Sequence, residues 1–131
     1  MVVSAARRPD KNPALATWLK KLDPARLYLS AITVAEIERG VVLAERADPS
    51  YGAILRAWIA KLPAVFAGRI LPIDHAVASR WGQLGGQLGN IELDLGIAAT
   101  AIEHGLVVAT RNVEDFALTG VAVIDPWRSG G

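Results

Sequence analysis

The chain contains no cysteine, which excludes disulfides and thiolate zinc sites and suits a reducing, cytoplasmic setting. No apolar run is long enough to span a bilayer, and Arg7 and Arg8 are followed by no apolar stretch of the kind a signal peptide carries. Familiar phosphate and nucleophile signatures are missing too. The glycine-rich stretch GQLGGQLGN follows a helix, so it fits neither a dinucleotide fingerprint nor a P-loop, which also needs Gly-Lys-Ser or Gly-Lys-Thr. No Gly-x-Ser-x-Gly elbow occurs. Aromatic residues make up only 6%, and Trp18, Trp58 and Trp81 fall at core-facing helical positions, which reads as packing before base stacking.

What is present is mostly apolar. Of 131 residues, 52% are hydrophobic and the mean hydropathy is +0.30, which fits one domain with a sheet covered on both faces or an obligate partner surface. The net charge of +1 is unevenly spread: residues 1–26 carry six basic groups (Arg7, Arg8, Lys11, Lys20, Lys21, Arg26) against Asp10 and Asp23. That balance of +4 leaves three net negative charges on the remainder. A basic lobe beside an acidic one suits a polyanion held near a metal, while a solvated helix face is the commoner explanation.

The stretch NIELDLGIAATAIEHGLVVATRNVEDF, Asn90 to Phe116, organises the rest. Asn90 is a helix cap, Ile91, Leu95, Ala98, Ala99 and Ile102 form a buried face, and Gly105 stops the helix before a strand at Leu106–Ala109. Upstream, Asn12-Pro13 opens a helix bearing Leu15, Trp18, Leu19 and Leu22, which Asp23-Pro24 ends. LYLSAI (Leu27–Ile32) is a strand, and Thr33 starts a helix through Val34, Ile37 and Val41. Asp48-Pro49 opens another with Tyr51, Ile54, Leu55, Trp58, Ile59 and Leu62 on one face, closed by Pro63. A short strand spans Arg69–Ile73. Asp74 then caps a helix carrying Val77, Trp81, Leu84 and Leu88, ended by Gly85, Gly86 and Gly89, and a last strand covers Val121–Ile124. The alternation predicts one α/β domain, a small parallel sheet flanked by helices on both faces.

Parallel sheets of this kind place reactive groups beyond the carboxyl ends of their strands. Three acids fall there. Asp94 lies in the first turn of an otherwise apolar helix, where the positive end of the helix dipole is as good an explanation as function. Glu36 follows the strand LYLSAI, but Thr33-x-x-Glu36 is also a capping box. Asp115 reads alone as a turn carboxylate. Their convergence on one sheet edge makes a candidate site for a hard cation such as magnesium, which binds through a few carboxylates and keeps several waters. His75 and His104 sit at helix ends and are poor ligand candidates.

LYLSAITVAEIERG, LPIDHAVASRW, DLGIAATAIEHGLVVATRNVEDF and VAVIDPW together resemble the PIN-domain ribonucleases, specifically the VapC and FitB-like toxins of bacterial toxin–antitoxin pairs. The similarity covers nearly all of residues 1–131. It implies a three-layer α/β/α fold and metal-binding acids Glu36, Asp94 and Asp115, with Thr110 and Asn112 as supporting polar groups. It also implies hydrolysis of RNA with Mg2+ or Mn2+, a homodimer, and an antitoxin whose tail covers the site. Arg111 and the basic N-terminal residues are then candidates for phosphate contact. Two further readings stay open: a catalytically silent scaffold for dimerisation and antitoxin capture, and a nuclease directed at DNA.

Members of that family open with a strand ending in Asp-Thr-Asn or a close variant, whose aspartate is the first metal ligand. VVSAARRPDKNP is similar to the sequence just after that motif, so the expectation is a start truncated by one acid and most of a central strand. On that expectation, a version extended by an Asp-bearing apolar strand cleaves RNA faster than the 131-residue chain. Equal rates in a cleavage assay would show that the three remaining acids suffice.

Overall fold

The computed structural model of the protein describes residues 2–3 and 24–125. The helix expected from Asn12 to Leu22 and the basic residues Arg7, Arg8, Lys11, Lys20 and Lys21 lie outside them. Among the described residues, five two-residue strands appear: β1 (Val2–Val3), β2 (Leu29–Ser30), β3 (Ile70–Leu71), β4 (Val108–Ala109) and β5 (Val123–Ile124). β4 pairs in parallel with β1 on one side and β5 on the other, and β2 pairs in parallel with β3. A bridge from Val2 to Tyr28 joins the two sheets, so the strands run in the order β3-β2-β1-β4-β5. Val2, Val108 and Ala109 have no exposed surface. Apolar side chains on both faces are what a parallel sheet covered by helices requires.

β2 is shorter than the sequence suggested because a helix claims its end. Leu27–Ile32 loses Ala31 and Ile32 to helix α1 (Ala31–Ala47), whose N-cap is Ser30: its Oγ accepts the Ile32 amide at 3.1 Å. Thr33 is therefore inside the helix, and the Thr33–Glu36 capping box does not form. Asp48 caps α2 (Pro49–Ile59), its carboxylate accepting the Tyr51 amide at 3.3 Å. Pro63 does not close that helix but sits inside a separate turn, α3 (Leu62–Val65).

Helices α1 and α2 form a hairpin in close contact at Gly52, where an added Cβ would stand 2.4 Å from the Glu45 Cα. Arg56 then bonds both Glu38 and Glu45 across the hairpin. These groups are partly exposed, so the network contributes modestly to stability. Ile37, Val41 and Leu62 make the hairpin's small core, with Leu55 and Ile59 against it. Ile54, expected on the buried face, is 67% exposed, because the stripe that meets α1 runs through Gly52, Leu55 and Ile59.

The main core surrounds α5 (Leu93–Glu103), in which Leu95 through Ala101 are all buried. It lies against α4 (His75–Leu88), which Asp74 caps by accepting the Val77 amide at 2.9 Å. Gly85 and Gly86 are helical; only Gly89, with φ of 81°, ends α4. α5 passes so near its neighbours at Gly96 that a Cβ there would meet Ile32 of α1 and the Trp81 ring of α4. Gly105 takes the expected left-handed turn, with φ of 64°, into β4. The short helix α6 (Val113–Ala117) follows β4 and buries Phe116. Among the described residues no helix is long and apolar enough to cross a membrane.

Two alanine substitutions test the hairpin. Gly52→Ala should cost about 1–3 kcal/mol through backbone collision. Gly40→Ala, with nothing within 4 Å of its new methyl, should gain up to about 1 kcal/mol from helix propensity alone. Denaturant unfolding of the two variants beside the wild type measures both.

Candidate metal and catalytic site

β4 is followed at once by Thr110, which is fully buried and donates its amide to the Ile124 carbonyl at 3.0 Å. Its Oγ1 accepts the Asn112 amide at 3.0 Å, a local turn that carries the chain out of the sheet and into α6. Arg111, between them, is exposed. Asn112 stands at the N-cap of α6 without using its side chain as a cap. That side chain instead lies near enough to the Asp94 carboxylate to favour its charged form.

Asp94 is the second residue of α5 and half-buried. The sequence placed the cap of that helix at Asn90, but Glu92 takes the position, while the Asn90 Oδ1 accepts the Glu92 amide at 3.0 Å in a local turn. Ile91, expected on the buried face, is accordingly 69% exposed. Burial pushes the Asp94 carboxyl above its ordinary range, the charges of Asp115 and Glu92 push it further, and the neighbouring Asn112 side chain works the other way. Asp115, exposed at the third position of α6, is thus near enough to act on Asp94 from a distant segment.

Glu36 lies on the second turn of α1, half-buried, one turn beyond the Ile32 side chain that approaches α5. Among the described residues, no three acidic or histidine side chains are grouped closely enough to hold a metal ion. The structure therefore pairs Asp94 with Asp115, and holds Glu36 on the adjoining helix. His75 and His104 are exposed at the start of α4 and the end of α5. Sequence reasoning missed Glu92; its signal was an acid two residues before Asp94, at the foot of an apolar helix. Trp81, expected as packing, lies against the core and also donates its Nε1–H to the Glu92 carbonyl at 3.2 Å.

Two like charges held together with one partly desolvated are the environment a divalent cation relieves, and an all-oxygen donor set favours a hard ion. Hard divalent cations are bound through a few carboxylates with waters completing the shell, so the chemistry of these acids suits that class of ion.

With this geometry established, comparison with known proteins is informative. Residues 1–121 match the PIN domain family. Toxin FitB of Neisseria gonorrhoeae is 39% identical over 131 residues, spanning 96% of this chain and 94% of that one. The VapC ribonuclease Y4jK of Sinorhizobium fredii is 34% identical, spanning 96% and 93%. The solved structure of FitAB bound to the IR36 DNA fragment superposes with a TM-score of 0.85 at 34% identity, covering 100% of this chain and 99% of that one. The chain belongs to the PIN-domain family, in its VapC and FitB group of toxin–antitoxin ribonucleases.

The Asp94 environment has a definite pH consequence. A carboxyl whose folded value is raised contributes stability that is fully present below its unfolded value of about 3.8, and loses it as pH rises through the folded value. Asp94→Asn should therefore raise the melting temperature by a few degrees at pH 7, a gain that vanishes in acid. Melting curves across pH check this, and a lower melting temperature for the variant at pH 7 contradicts it.

Proposed function

We propose that this protein is a toxin acting as a metal-dependent endoribonuclease, hydrolysing RNA phosphodiester bonds as a homodimer until a cognate antitoxin covers its site. The observation that carries the reading is the Asp94–Asp115 pair: acids from separate segments, brought together at the carboxyl edge of the sheet with one half-buried. A fold does not maintain such repulsion without an opposing gain. The ribonuclease name of Y4jK and the toxin name of FitB supply the reaction class and biological setting.

Asp94 and Asp115 would hold Mg2+ or Mn2+, with Glu36 contributing from α1. When bound, the ion supplies charge neutralisation at the phosphate and a water acidic enough to attack it. Asn112 favours the charged form of the Asp94 carboxylate, and the Thr110 hydroxyl accepts the Asn112 amide. Arg111, exposed on the same turn, would contact a phosphate. No three acidic or histidine side chains are grouped closely enough to hold a metal among the described residues, and that observation favours a second reading: a catalytically silent PIN-fold binding protein.

Cleavage of a mixed RNA pool with and without Mg2+ or Mn2+ separates the two. The nuclease reading expects cleavage that chelation abolishes and that Asp94→Asn and Asp115→Asn each reduce about a hundredfold or more. A well-folded chain that leaves RNA intact, with Mn2+ affinity unchanged by either substitution, is the scaffold.

A further inference from the structure

Four side-chain hydroxyls are buried among the described residues: Ser30, Thr33, Thr100 and Thr110. Three have partners. Ser30 accepts the Ile32 amide, Thr100 donates to the Gly96 carbonyl, and Thr110 accepts the Asn112 amide. The Thr33 Oγ1, in a residue 2% exposed, has no hydrogen-bond partner among the described residues. A threonine inside a helix ordinarily satisfies its hydroxyl on a carbonyl three or four residues back, and this one does not. A buried hydroxyl left unpaired is costly, so one kept in that condition calls for an explanation.

Its position supplies one. Thr33 is in the first turn of α1, at the carboxyl edge of the sheet, and Glu36 lies three residues on along the same side of the helix. Helical side chains lean toward the N-terminus, so the long Glu36 side chain lies over the turn that Thr33 occupies. We infer that Thr33 is a positioning residue for Glu36: its hydroxyl steadies the carboxylate through one bridging water, in the orientation that meets the metal. The inference rests on the metal-dependent reading and adds a residue to it.

The test compares Thr33→Val, which keeps shape and loses the hydroxyl, with Thr33→Ser, which keeps the hydroxyl. Mn2+ affinity should fall about tenfold in the valine variant and stay within about twofold of wild type in the serine variant. In a Glu36→Gln background the valine substitution should change affinity no further. A parallel cycle of denaturation midpoints for Thr33→Val, Glu36→Gln and the double variant, without metal, should be non-additive. Unchanged Mn2+ affinity together with additive midpoints overturns the inference and leaves Thr33 as packing. Absence of Mn2+ binding in every chain, with non-additive midpoints, removes the metal reading but keeps the Thr33–Glu36 coupling.

Discussion

Helix α5 is buried on every side, and the placement of the site depends on that constraint. A helix with apolar residues all round has no solvent face to choose, so it must be enclosed between sheet and neighbouring helices. Gly96 lets it approach α1 and α4, and Thr100 disposes of its one interior hydroxyl on its own backbone. A charge within this helix can be tolerated only near its ends. Asp94 occupies the first turn, at the sheet edge where β4 delivers Asn112 and Asp115.

The candidate site works partly against the fold. Burying part of the Asp94 carboxylate and bringing Asp115 near it works against folding, and the neighbouring Asn112 side chain offsets some of that cost.

Much of the fold was legible because it is written in local signals. Asp48 and Asp74 cap the helices they were expected to cap, and Gly89 and Gly105 take the left-handed turns their positions suggested. The misreadings share one cause. Thr33 and Asn90 are good caps by residue type, yet Ser30 and Glu92 hold those positions, because strand pairing and burial of the helix decided where each element begins. Ile91 and Ile54 were placed by periodicity on faces that depend on which neighbour a helix meets. The candidate acids were expected from the strand-edge rule, but the effect of Asn112 and Asp115 on Asp94 acts between distant segments and no local pattern encodes it.

The amide of Thr110 is tied to the Ile124 carbonyl, so the turn that aims Asn112 hangs from the outermost strand of the sheet. Side chains alternate across a strand, and a slip of one residue between β4 and β5 would exchange the buried Thr110 with the exposed Arg111. The last strand therefore acts as the alignment mount of that turn. Damage at Ile124 would surface first as a shift of Asn112 relative to Asp94 in a chain that still folds.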